Sequence, residues 1–460
     1  VREVERMAFL DENYLLTNPT AREIYPLVKD LPIVDAHNHS DVKEIVENRG
    51  WNDIWEVEAA TDHYVWELMR RRNVPEEKIT GKASNYEKWL ALAEVFPKFV
   101  GNPTYEWIHL DLRRRFDIYE IISKDTAQII WNKAKESLQS DDMKPQKLLQ
   151  NMGVEIMCTT NDPAEDLYYH KLAREKVSGT KILPTWRPDR FCKVHSPNFK
   201  TFVAQLEERT NVSIAKLSDF VEALKKTHDR FDELGCVCSD HALLEPIVQR
   251  IDEKTASEIF EKALKSSVSY EEHLKFQSFM MYKFAEMNAE KNWAMQLHIG
   301  AMRDYRVKLF EMLGPDSGGD IIAGFVDVAR GMKDFFNDFD GKLKIVLYCM
   351  DMNYLPVMAT IARSFENVFL GAPWWFNDSP LGMRTHLEYI ASVDLLSNFV
   401  GMVTDSRKLM SYGSRTEMFR RVLCDVVGTM VERGQIPLRE AIELCLELSY
   451  SRPKEFFFGR

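Results

Sequence analysis

Eight short apolar runs, at 32–39, 154–160, 181–186, 236–240, 293–299, 344–350, 368–375 and 399–404, constrain this chain more than any other feature. Each leads through a polar turn into a stretch with helical periodicity. Runs of this length describe strands buried on both faces, as in parallel sheets covered by helices. Asp162-Pro163 offers an N-cap with proline in the first turn of a helix over 164–176. Leu217, Phe220, Val221, Leu224 and Phe231 share one face of a helix over 213–234. Thr255-Ala256-Ser257-Glu258 reads as a capping box within a longer helical stretch. Eight strands alternating with helices predict an α/β protein, a (β/α)8 TIM-like barrel. A doubly wound open sheet is the rival, because sequence does not reveal closure. No GxGxxG or GxxxxGK[ST] follows any run, which disfavours the nucleotide-binding form of that rival.

At about 150 residues per domain the length alone allows three domains. A barrel occupies roughly 250 residues, and the chain has 460, so the surplus sits in the connections. The largest, 41–151, is rich in Trp, Tyr, Arg and Glu. It reads as a helical insertion after the first strand, a subdomain over the barrel mouth. Residues 1–40 then form an N-terminal segment with the first strand, and 152–460 the remainder of the barrel. The connections 191–235, 244–292 and 302–343 are also long, and Pro-Asp-Ser-Gly-Gly at 315–319 splits the last.

The net charge of −11 argues against a general nucleic-acid binder, which needs a basic face. It leaves room for a local cationic pocket. The cysteines (Cys158, Cys192, Cys236, Cys238, Cys349, Cys424 and Cys445) are odd in number, with no CxxC pair. They read as reduced thiols. The stretch 1–10 carries four charges and no apolar leader core, and no run approaches the roughly 18 residues of a membrane helix. A soluble, cytoplasmic protein with no membrane partner is expected.

The first run ends in Asp35-Ala36-His37-Asn38-His39. Residues two apart on a strand face one side, so His37 and His39 point into the barrel at its C-terminal end, where barrel enzymes keep their sites. Two imidazoles so spaced suit a divalent metal. The fifth run brings His298 to an equivalent height. The eighth ends in Thr404-Asp405-Ser406-Arg407, which puts a carboxylate at the tip of the strand that closure places beside the first.

With these residues the chain resembles the amidohydrolase superfamily, and within it the uronate isomerases (glucuronate isomerase). The resemblance also rests on His63-Tyr64, Pro184-Thr185-Trp186-Arg187-Pro188-Asp189 and Ser239-Asp240-His241. Further along it rests on Gln296-Leu297-His298 through Arg303, and on Trp374-Trp375-Phe376-Asn377-Asp378. The fourth run lacks a bridging lysine and the sixth lacks a histidine, so one metal is implied rather than two.

The resemblance implies interconversion of D-glucuronate with D-fructuronate, and of D-galacturonate with D-tagaturonate, in hexuronate catabolism. A proton leaves C2, an enediol forms and a proton arrives at C1. His37, His39 and Asp405 would hold the ion, with His298 a further ligand or a hydrogen-bond donor to the reacting oxygens. Zinc heads the candidates, with Mn, Fe or Co also compatible with such donors. Tyr64 would be the base, as a phenolate beside Arg407, and Asp405 a proton shuttle. Arg187 and Arg303 would grip the substrate carboxylate. His63 and Asp240 would position sugar hydroxyls. Trp374 and Trp375 either wall the pocket or belong to the core. The alternative reading is a mononuclear metal-dependent amidohydrolase acting on a C–N or ester bond. A homo-oligomer is expected.

Other features have plain explanations. Cys236-Val237-Cys238 reads as a buried strand rather than a thiolate metal site, and His228 as a core histidine. Arg70-Arg71-Arg72 and Arg113-Arg114-Arg115 read as solvated or subunit-contact faces. His195 and His386 fit no ligand set.

Overall fold

The computed structural model describes residues 8–459. Most of the stretch read for a leader falls outside these residues, as does the side chain of Cys349. The strands are β1 (Ile33–Asn38), β2 (Val154–Asn161), β3 (Lys181–Trp186), β4 (Cys238–Leu243), β5 (Ala294–Ile299), β6 (Ala301–Met302), β7 (Ile321–Ile322), β8 (Ile345–Cys349) and β9 (Val368–Leu370). Seven make one sheet in the order β1-β2-β3-β4-β5-β8-β9, with every neighbouring pair parallel. β6 and β7 pair antiparallel in the long connection after β5.

The eighth run forms no regular ladder, yet it spans the two edges of the sheet. The Val400 N–H donates to the Leu370 carbonyl at 3.4 Å, the Asp405 N–H to the His37 carbonyl at 3.0 Å, and the His39 N–H to the Ser406 carbonyl at 2.9 Å. Within this seam, the Thr404 N–H and hydroxyl both donate to Asp35, at 2.9 and 2.6 Å. Side chains thus complete a join that the backbone leaves sparse. The result is an α/β barrel of the TIM-like class.

Four local expectations change. The seventh run is a strand only to Leu370. A Cβ on Gly371 would lie 2.5 Å from the Tyr348 ring, so the chain passes that ring on bare backbone and turns away. The helix expected over 164–176 begins at Tyr168. Asp162 instead caps a turn at Ala164 and pairs with Arg190, and Leu167 is left-handed (φ 55°) before the helix. Thr255 opens no capping box: Asp252 takes both its N–H and its hydroxyl, so the helix starts at Glu253. The fourth strand runs two to three residues later than its apolar run, Cys238–Leu243, which brings Asp240 and His241 inside it.

Between β1 and β2 lie the helices Val42–Glu47, Ile54–Glu58, His63–Arg71, Asn85–Val95, Pro103–Arg115, Ala127–Ser137 and Pro145–Asn151. They share a second hydrophobic cluster, built around Trp55, Trp89, Leu92 and Phe96, that also takes in Ile33, Val154, Met157 and Ile182 of the first three strands. The larger cluster fills the barrel and its outer helices. Helix Pro19–Val28 crosses helix Ser411–Glu432 closely at Gly428, where a Cβ would fall 2.7 Å from the Ala21 backbone nitrogen. Gly428→Ala recovers about 1 kcal/mol of helix propensity, but backbone cannot yield as a side chain tip can. Overpacking costs about 1–3 kcal/mol. We expect a lower thermal midpoint with turnover per folded molecule unchanged, checked by calorimetry beside kinetics.

Candidate metal centre and active site

The C-terminal ends of β1, β4 and β5 and the seam converge on two overlapping donor sets. In one, His37 Nε2 and His39 Nε2 lie 3.3 and 3.2 Å from the same Asp405 oxygen. In the other, His37 Nδ1 lies 3.5 Å and His298 Nδ1 2.8 Å from the Asp240 carboxylate. His37 is buried and belongs to both. Strand alternation explains the first set, since His37 and His39 lie two apart at the end of β1. The seam explains Asp405, whose backbone is left-handed (φ 48°) and pinned by the His37 carbonyl. That conformation is strained for a residue with a Cβ.

Electrostatics keep Asp405, Asp240 and His39 in the forms a cation needs, whereas Asp240 and Asp405 together raise His37 against the effect of burial. Burial raises the cost of charge on Asp405, but hydrogen bonds from His37 and His39 hold it well below the usual carboxylate range. Asp240 is likewise held low against burial, by His298, His37 and Arg187. Burial lowers His39 to about 4 despite Asp405, so its imidazole is neutral. Both Asp240 oxygens, both His298 nitrogens and His37 Nδ1 are buried without a well-aligned hydrogen bond. Imidazole nitrogens and carboxylate oxygens left this way fit a divalent cation. Those orphaned atoms belong to the His37–Asp240–His298 set, and His37, His39 and Asp405 form the second set that could hold such an ion. Asp240 behind His37 is the kind of carboxylate that orients a ligating imidazole. No cysteine enters either set among the described residues, and Cys236 and Cys238 are buried.

A cavity of about 670 Å³ opens from this centre and is lined by His39, Arg187, Asp189, Arg303, Asp316 and Arg407 among others. Arg187 donates to Asp189 at 2.9 Å and approaches Asp240 at 3.3 Å, and these two carboxylates outweigh burial and keep it firmly charged. Arg303 lies over the Trp375 ring at 5.1 Å and is 3.6 Å from Asp320. Trp374 belongs to the site: its indole N–H donates to Asp405 at 3.2 Å and its ring stands edge-on to His298. Trp375 is buried and left-handed (φ 53°) between Trp374 and Phe376.

His63 and Tyr64 open the helix His63–Arg71, capped by Asp62. Their rings stack at 4.6 Å, with His63 also 5.6 Å from Trp375. The cation over Tyr64 is Arg415, 5.3 Å from the ring centroid. Arg407, expected in that place, instead contacts Asp316 at 3.2 Å. Burial pushes the Tyr64 phenol well above its ordinary range, with Arg415 opposing.

Sequence reasoning missed Arg415 and Asp316. Asp316 lies in the Pro-Asp-Ser-Gly-Gly turn, within reach of Arg407 and Arg303, and only that turn's composition marked the spot. The His195 and His273 rings lie tilted against each other at 4.0 Å at the cavity's far side, and in the core the His386 Nε2–H donates to the Gly371 carbonyl at 2.8 Å. His228 stacks on Trp293 at 3.7 Å in the core, as expected. Arg114 is exposed and pairs with Glu417 at 2.9 Å, in keeping with a solvated face, whereas the Arg70 side chain is largely covered against Glu76 and the Ser317 carbonyl. Both stay within the chain.

A family model described as glucuronate isomerase matches residues 7–457. A uronate isomerase of Thermotoga neapolitana is 60% identical over 98% of this chain and all of its own length. The crystal structure of uronate isomerase from Thermotoga maritima superposes with a TM-score of 0.97 at 59% identity, over 98% of this chain and all of that one. That of glucuronate isomerase from Caulobacter crescentus gives 0.94 at 26%, over 98% and 97%. No helix among the described residues is long and apolar enough to cross a membrane.

Proposed function

From the premise that the chain belongs to the glucuronate isomerase family, we propose how its residues carry out the isomerisation. It is a uronate isomerase, an aldose–ketose isomerase. D-glucuronate with D-fructuronate and D-galacturonate with D-tagaturonate are the pairs we assign. The observation that carries the mechanism is the convergence of His37, His39 and Asp405 beside a cavity ringed by Arg187, Arg303 and Arg407.

The residues divide the work by position. Arg303 and Arg187 receive the substrate carboxylate, and Arg407 adds positive charge at the rim. Asp240 and His63 accept or donate to sugar hydroxyls, and Trp374 walls the reacting carbons. His37, His39 and Asp405 would hold a divalent ion, zinc in our assignment, which would supply Lewis-acid polarisation to the reacting carbonyl. His298 would be a further ligand or a hydrogen-bond donor to the reacting oxygens. Tyr64 takes the C2 proton while the C1 oxygen gains one, giving the enediol. A proton then goes to C1, the C2 hydroxyl gives up its own, and C2 becomes the carbonyl. Asp405 shuttles the proton between C2 and C1. Burial alone would keep Tyr64 protonated, so its ionisation depends on neighbouring cations.

Residues 41–151 form, in this reading, the subdomain over the mouth that delivers Tyr64, with 1–40 and 152–460 making the barrel. Reduced thiols support a cytoplasmic enzyme. Exposed Tyr305, Val307 and Phe325 on the connection after β5 support a homo-oligomer.

Incubation of the zinc-loaded protein with glucuronate in D₂O should yield ketose with deuterium at C1. Tyr64→Phe should slow turnover about 10²–10⁴-fold while leaving folding intact. Normal turnover and exchange in that variant would remove Tyr64 from the base role.

A further inference from the structure

We propose that Arg415 is a positioning residue for Tyr64, its anchored guanidinium fixing the phenol's place and electrical surroundings opposite Asp405. This rests on the reading of Tyr64 as the base.

Arg415 lies in the second turn of helix Ser411–Glu432, outside the Thr404–Arg407 segment that carries the seam carboxylate. Its side chain is almost fully buried. Nη1 donates to Asp378 at 2.7 Å and to the Thr404 carbonyl at 3.0 Å, one residue before Asp405. The guanidinium carbon is 4.3 Å from the Trp107 ring centroid and 5.3 Å from that of Tyr64. The two rings meet edge to face at 6.1 Å. One side chain therefore touches the insertion helices His63–Arg71 and Pro103–Arg115, the turn after β9, and the seam.

An ion pair with Asp378 alone would not require this placement. The cation sits against two aromatic faces, where the attraction is electrostatic and directional. Its Nε has no hydrogen-bond partner, so the geometry is not set by saturating donors. The charged groups acting on Tyr64 are Arg415, Asp405, Asp378 and Asp62, with the His63 ring stacked on it. Among these Arg415 is the group that favours a phenolate. A lysine could keep the charge but not the planar contact.

The test is a double-mutant cycle. Arg415→Met should lower kcat about 10²-fold with KM within threefold, because no substrate contact is lost, and Arg415→Lys should recover part of that. In a Tyr64→Phe background, which keeps the ring and removes the hydroxyl, Arg415→Met should change kcat less than twofold. An undiminished loss in that background would overturn the proposal while leaving Tyr64 as base. Unimpaired Tyr64→Phe would overturn the base assignment itself. Should Arg415→Met fail to fold, Arg415→Lys and Asp378→Asn run the same cycle, and equal losses in both backgrounds again refute the coupling.

Discussion

Asp405→Asn should lower kcat/KM for glucuronate by roughly 10³-fold or more and leave the purified protein depleted of its divalent ion. The side chain accepts from His37, His39 and Trp374 at once. An amide of the same shape keeps the packing but presents an N–H toward imidazoles that already need an acceptor. It loses the charge a cation requires and, in the proposed mechanism, the proton shuttle. Charge stabilisation and proton transfer each contribute about 10²–10⁴-fold when removed. Metal analysis alongside steady-state kinetics checks both. Turnover within tenfold of wild type at full metal occupancy would exclude Asp405 from proton transfer.

A second large effect concerns stability. Between pH 6.5 and 4 the fold should weaken steeply, through histidines remote from the chemistry. Burial lowers His109, His170, His228 and His386 to about 4. Unfolded histidine titrates near 6.5, so as pH falls through this window the unfolded chain binds protons that the native state refuses. Stability is therefore full above about 6.5 and is lost toward 4. Each group carries about 3 kcal/mol by pH 4 at 1.36 kcal/mol per unit, against roughly 5–15 kcal/mol for a whole domain. Asp35 and Asp378, pushed up by burial to about 6 and 7, act in the opposite sense, since their protonated forms suit the native interior. The histidines outnumber them. The thermal midpoint measured from pH 7.5 to 4.5 should fall throughout the lower half. His386→Asn, replacing one buried ring that donates to the Gly371 carbonyl and packs edge-on to Phe399, should flatten that slope even where it lowers the midpoint at pH 7.5. A midpoint independent of pH would refute the assignment.

Strands were legible where burial is two-sided. The runs at 154–160 and 181–186 match β2 and β3 almost residue for residue. The run at 399–404 reads as a strand equally well, yet its backbone finds few ladder partners. Hydrophobicity reports burial, not pairing. Helix starts were misread where side chains competed, as Asp252 does with Thr255. Within the site, His37, His39, His298 and Asp405 were readable because strand ends and HxH spacing carry a local signature. Arg415 carries none. Its role depends on Tyr64, Trp107, Asp378 and Thr404, which only the folded chain brings together. Arg407, two residues from Asp405 in sequence, was the expected neighbour of Tyr64, but its guanidinium contacts Asp316 and the one over the ring belongs to Arg415.

The seam has a consequence for how the protein comes into being. Thr404 and Asp35, which close it, are 369 positions apart, and His37 and Asp405 lie directly beside them. A nascent chain that has finished seven strands holds two histidines and no seam carboxylate, so this ion site does not yet exist. Capture of an ion at the proposed site would therefore require the completed topology. Because few ladder bonds hold the same join, it is also where local opening should begin, so release of the ion would be an early sign that the circle has come undone.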